Sequence, residues 1–94
     1  MIQSVILSFF AGVFGANAFP HFVKGITKEP FPTPFGPSPV INFLAGWVMF
    51  IIAGILGYWA HIGENPTGAI ISIAIGVLLM GIFHSWIGAF GRKV

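Results

Sequence analysis

The sequence contains no cysteine and no aspartate, and only six of its 94 residues carry a charge: four Lys or Arg and two glutamates. Without cysteine there is no disulfide, no thiolate metal ligand and no cysteine nucleophile. Six charges cannot coat a soluble domain, in which roughly a quarter of the residues are charged. The two carboxylates, Glu29 and Glu64, stand on either side of a long apolar run, so they cannot form an acid/base pair if that run crosses a membrane. No Ser-His-acid arrangement and no phosphate-cradling glycine loop is readable, and an enzyme is not expected. The isoelectric point near 9.5 rests on a handful of side chains with no basic patch, so nucleic acid is not an expected partner either.

What is present is apolar. Hydrophobic residues make up 56% of the chain, and three runs, at residues 2–18, 39–61 and 66–90, hold no Asp, Glu, Lys or Arg. Ninety-four residues suffice for one domain, so residues 1–94 read as a single membrane domain with the lipid bilayer as its first partner. In hydrocarbon every backbone group must find its partner within its own segment, which makes each run an α-helix. The fold class expected is therefore all-α, with three transmembrane helices. The first run is the shortest; 17 residues reach about 25 Å against a hydrocarbon core of about 30 Å. It also resembles the apolar core of a signal peptide followed by a small-x-small site at Ala16-Asn17-Ala18. The absence of a basic residue in Met1-Ile2-Gln3 favours a retained span.

Helix boundaries are marked by proline. Ser38-Pro39 and Asn65-Pro66 each set a capping side chain before a proline at the first helical position. Pro20 is expected to end the first helix near Phe19, because a proline disfavours helical geometry at the residue before it. This leaves a Pro/Phe-rich loop over residues 19–38, with prolines at 30, 32, 34 and 37 that favour a stiff polyproline II strip. Phe31 and Phe35 would insert from it into the headgroup region or a partner's groove. Residues 20–25 would form a short interfacial turn ending at Gly25, with Lys24 directed toward lipid phosphates. A lid folded back over the helix ends is the alternative, and the sequence leaves both open.

Basic residues set the orientation. Three spans put Lys24, Lys28, Arg92 and Lys93 on one side and no Lys or Arg on the other. By the positive-inside rule the loop and C-terminus are cytoplasmic and the N-terminus is outside, in a multi-pass protein of the inner membrane. Tyr58, Trp59 and Trp86 fall at interfacial depth.

Two constellations remain. Small residues recur at helical spacing: Ser4, Ser8, Gly12 and Ala16 on the first span; Ala53 and Gly57 on the second; Gly68, Ser72, Gly76, Gly81, Ser85 and Gly88 on the third. Such rows let helices in lipid approach closely, within this unit or against a partner. A polar layer is expected near the cytoplasmic end, where antiparallel helices would bring Asn17, Asn42 and His84 to one depth with His21 just beyond. Intramembrane polar groups of this kind line a pathway or tie helices together, and the His84 imidazole hydrogen-bonded to Asn42 or to a carbonyl is the structural version. His61 and His84 lie at opposite ends of the membrane and cannot share an ion, and His21 with His84 could meet near the inner face only as two imidazoles without a carboxylate or cysteine, so no metal site is expected. His84 alone as axial ligand to a haem or chlorin is a further alternative.

The segments His21–Ile26, Phe31–Gly36, Pro39–Asn42 and Gly46-Trp47 give the pattern HFxKGI, FPTPFG, Pro-x-x-Asn and Gly-Trp. In this the chain resembles a family of small bacterial inner-membrane proteins, and the match covers about a third of its length. That family carries no assigned activity, so the resemblance implies a bacterial inner-membrane setting and no chemistry. The function expected from the residues is that of a non-enzymatic accessory or scaffolding subunit, which docks on a larger membrane complex through its small-residue faces and its loop. Two alternatives stand beside it: a homo-oligomeric channel or transporter lined by Asn17, Asn42 and His84, and a haem- or chlorin-binding subunit.

Overall fold

A computed structural model of the protein describes residues 2–87; the expectations placed on Gly88, Phe90, Arg92 and Lys93, including the end of the third span, lie outside them. Among the described residues the regular structure is all helical, with no strand. The order is α1 (Ile2–Ile26), α2 (Pro39–Trp59), a 3-10 turn (Ile62–Glu64), α3 (Pro66–Ile82) and a π-helical turn (Phe83–Ile87). Three helical stretches, Ile2–Ile26, Pro39–Glu64 and Pro66–Trp86, are long and apolar enough to cross a membrane.

The helices arrange themselves around α1, which packs against α2 on one side and α3 on the other, while α2 and α3 share no extensive interface. The interior is made of small residues: Ser4, Ser8, Gly12 and Ala18 from α1, Gly46 from α2, and Ala69, Ser72 and Gly76 from α3 are all buried. Large side chains such as Ile70, Leu78 and Val40 point outward and are more than half exposed. This inside-out distribution suits lipid, where there is no hydrophobic gain between helices and close backbone approach supplies the attraction. At Gly12 a Cβ would run into the Ile73 carbonyl, and at Gly76 into that of Phe9, so α1 and α3 touch backbone to backbone.

The first helix does not stop at Phe19. It runs unbroken through Pro20 to Ile26, which shortens the connection to residues 27–38. A proline deprives one earlier carbonyl of its partner, and spanning helices tolerate this when packing holds the segment. Here the packing lies past the proline: a Cβ at Gly46 would come within 2.6 Å of the Phe22 nitrogen, and one at Gly25 would collide with the Phe43 backbone. Phe22 also stacks against Phe43 and Phe50 at 5.5 Å centroid separations. The last turns of α1 are thus held against α2, and the free interfacial turn expected at residues 20–25 is helix instead.

The two proline-marked starts behave as expected. Ser38 Oγ accepts from the Val40 N–H at 3.2 Å, and Asn65 Oδ1 from the Gly68 N–H at 3.4 Å, with Pro39 and Pro66 at the first helical position. The second helix ends at Trp59, two residues short of the expected boundary, because His61 adopts left-handed backbone geometry (φ 51°) that no helix can continue. At that end of the bundle Gln3 donates to the Trp59 carbonyl at 2.9 Å and Asn65 to Ser4 Oγ at 3.1 Å.

The connection from α1 to α2 is a closed loop rather than an extended strip. Lys28 (φ 60°) turns the chain out of α1, and the Glu29 N–H reaches back to the Lys24 carbonyl at 2.9 Å. The Phe31 N–H donates to the Pro37 carbonyl at 3.2 Å, and Thr33 and Gly36 close a tight turn between them. Four prolines were expected to hold this stretch extended; the turn at Thr33–Gly36, with Gly36 at φ 114°, folds it back on itself.

Candidate functional site: a polar layer beneath the loop

Asn17, His21, Asn42 and His84 do converge at the loop end of the bundle, though with different partners from those expected. His21, on the turn after Asn17, sends Nδ1–H to Asn42 Oδ1 at 2.6 Å. Asn42 is fully enclosed and its Nδ2 donates to the carbonyls of Phe31 (2.8 Å), Ser38 (3.0 Å) and Pro37 (3.3 Å). Three carbonyls around one amide nitrogen fix the amide's orientation. They therefore also fix the imidazole, since Oδ1 can only accept. His84 pairs with Asn17 instead of Asn42: its Nε2–H donates to Asn17 Oδ1 at 2.6 Å.

The pairing follows from helix order. With α1 in the middle, α2 and α3 cannot reach each other, so each sends its polar side chain to α1: Asn42 to His21, and His84 to Asn17. The imidazoles of His21 and His84 then lie edge to face at 6.2 Å between centroids. Phe31 covers both, 5.1 Å from His21 and 6.1 Å from His84, and is itself buried. His84 sits on the π-helical turn, a widened turn that recurs at functional positions.

The loop residues expected to dock divide. Phe31 turns inward as the cover of the polar layer, while Phe35 stands 78% exposed at the loop tip. Lys24 does not reach outward alone: its Nζ pairs with Glu29 Oε1 at 3.1 Å, and Thr27 Oγ1 donates to Glu29 Oε2 at 3.1 Å, closing the start of the loop. Sequence reasoning assigned Met49, Gly25 and Gly46 no part in the site. Met49 Sδ accepts from Asn17 Nδ2 at 3.1 Å, and the two glycines bring α1 and α2 close enough for the His21–Asn42 bond. Their spacing signal was legible only if α1 continued past Pro20.

Two properties of the layer bear on its chemistry. The four polar side chains pair within a single copy, His21 with Asn42 and His84 with Asn17, which is what a helix tie requires. His84 Nε2 is engaged by Asn17, and its Nδ1 is enclosed without a hydrogen-bond partner. Among the described residues no three His or Glu side chains gather into a metal-sized cluster. His61 is remote, facing Glu64 across 3.9 Å at the other end of the bundle.

Fold and site together define a small multi-pass α-helical membrane protein with a loop-covered polar layer at one end. Comparison with protein-family models, with curated proteins and with solved structures finds no match for this chain.

Proposed function

We propose that the protein is a non-enzymatic accessory or scaffolding subunit of the bacterial inner membrane, docking through glycine-bearing faces of α2 and α3 on a larger membrane complex. The observation that carries this reading is a division among the glycines. Gly12, Gly25, Gly46 and Gly76 are filled by a neighbouring backbone inside the unit, whereas Gly54, Gly57 and Gly81 have nothing within 4 Å of where a Cβ would stand. Close approach is thus prepared on the outer faces of two helices and used by none of the described residues. The spans agree, since only 28%, 11% and 17% of their apolar stretches are buried within the chain. Phe35, exposed at the loop tip, offers a further apolar contact.

The basic residues Lys24 and Lys28 near the loop, with Arg92 and Lys93, favour a cytoplasmic loop and C-terminus, and the resemblance in residues 21–47 favours the bacterial setting. The test is purification from native membranes in mild detergent, with the mass of the intact particle. A particle containing a larger membrane protein, lost on Gly54→Leu plus Gly57→Leu, is expected. Recovery of this chain alone as a stable monomer would sink the reading, and recovery as a ring of identical copies would replace it with self-assembly.

A further inference from the structure

We propose that the groove between α1 and α2, roofed by the loop tip, binds an uncharged lipid with a hydroxyl head and a single apolar chain. The groove encloses about 460 Å³, within the range of small-molecule sites. Its walls are Ile41, Leu44, Val48 and Met49, and Phe35 stands at its mouth. Along α2 the span from Ile41 to Met49 is about 12 Å, enough for a head and the first part of a chain whose remainder runs into the bilayer.

The polar end is what distinguishes this groove from a lipid-facing crevice. Asn17, His21 and Thr33 line it, and each has a different remaining capacity. Thr33 has used its one donor, on the Gly36 carbonyl at 2.6 Å, and one of its two lone pairs, on the Phe35 N–H at 3.0 Å, so it has no proton to give a ligand. His21 is only 3% exposed and uses Nδ1 alone, and the tautomer that carries its hydrogen on Nδ1 keeps an acceptor lone pair on Nε2. Asn17 spends Oδ1 on His84, and its Nδ2 faces nothing better than the Met49 thioether, a weak acceptor. One donor and one acceptor, four residues apart on one face of α1, remain for a ligand. A hydroxyl satisfies both, accepting from Asn17 and donating to His21.

The head is uncharged because none of the described Lys or Glu residues lines the groove; Lys24 lies instead in the crevice between α1 and the His84 turn. A phosphate brought here would be desolvated without a counter-charge. Prenyl alcohols and monoacylglycerols both present the required chemistry, and the experiment separates them.

The full-length protein in lipid nanodiscs is exposed to diazirine-bearing farnesol and, separately, to diazirine-bearing monooleoylglycerol, and labelling is mapped on α2. Saturable labelling near Leu44–Met49, competed by the unlabelled probe, is expected from at least one of them, and the one that labels identifies the source. Ala45 and Val48 also line the groove on α2, and Ala45→Phe and Val48→Trp, which fill it while leaving Asn17 and His21 in place, should each weaken labelling by about tenfold or more, roughly 1.4 kcal/mol of affinity. Met49→Leu removes the competing thioether and should tighten binding. Labelling that a diazirine-bearing phosphatidylcholine reproduces and competes equally well, or that persists in both groove-filling variants with helicity intact, overturns the proposal.

Discussion

His21 on α1 and Asn42 on α2 are joined by a 2.6 Å hydrogen bond from imidazole Nδ1 to amide Oδ1, both side chains shielded from the surface. The other half of the same amide holds the carbonyls of Phe31, Pro37 and Ser38. One residue therefore ties two helices to the loop that covers them, and loop closure and helix packing become a single event.

Asn42→Leu should separate them. It strips the partner from the His21 Nδ1–H and from the Phe31 carbonyl, and each buried group left unsatisfied costs about 1–3 kcal/mol. A loss of about 3 kcal/mol in unfolding free energy is expected, measured by steric trapping in bicelles. Hydrogen exchange at the Phe31 and Gly36 amides should rise, since both depend on the folded-back loop. Asn42→Asp should be as damaging although it keeps the acceptor, because a second oxygen then faces three carbonyls. Exchange at wild-type rates in either variant would show that the loop closes without Asn42.

The resilience of α1 past Pro20 explains what the sequence hid. Apolar runs, capping pairs and the depth of Asn17, Asn42 and His84 are local or one-dimensional properties, and they predicted the three spans and the convergence of a polar layer. Whether a helix survives a proline depends on packing from elsewhere, here the Gly25–Phe43 and Gly46–Phe22 contacts separated by about a turn on each helix. The partner of each histidine depended on which helix stands in the middle, which no spacing encodes. The turn that folds the proline segment back likewise relies on Asn42, a residue outside that segment.

Orientation gives a direct measurement. Gly63 lies in the 3-10 turn with open space around it, and Phe35 is exposed at the loop tip, so cysteine is tolerated at both. In intact bacterial cells a membrane-impermeant maleimide should label Gly63→Cys and spare Phe35→Cys until the membrane is permeabilised. The reverse pattern would invert the topology drawn from the four basic residues.

The bond between His84 and Asn17 is the matching tie between α1 and the π-helical turn. Hydrogen bonds between helices in a bilayer contribute about 0.6 kcal/mol on average and up to about 2. A double-mutant cycle over His84→Leu and Asn17→Leu should give a coupling near the upper part of that range, because the 2.6 Å contact is short and partly buried, with the Phe31 ring beside His84. Additive losses would mean that Asn17 and His84 contribute independently and that the turn is held by its own backbone.

The glycines allow the two kinds of close approach to be told apart. At Gly12 and Gly76 an added methyl meets main-chain oxygen, which cannot rotate aside, so α1 and α3 must move apart. Overpacking of this kind costs about 1–3 kcal/mol, and Gly12→Ala and Gly76→Ala should unfold more readily by that amount. At Gly54, Gly57 and Gly81 the methyl meets open space, and alanine there should leave unfolding within about 0.5 kcal/mol of wild type. Gly57→Leu extends the contrast: a bulky side chain on the outer face should leave the isolated chain folded yet reduce recovery of the larger assembly. If Gly57→Leu destabilises the purified chain as Gly12→Ala does, the outer face of α2 is part of the fold and not a surface held for a partner.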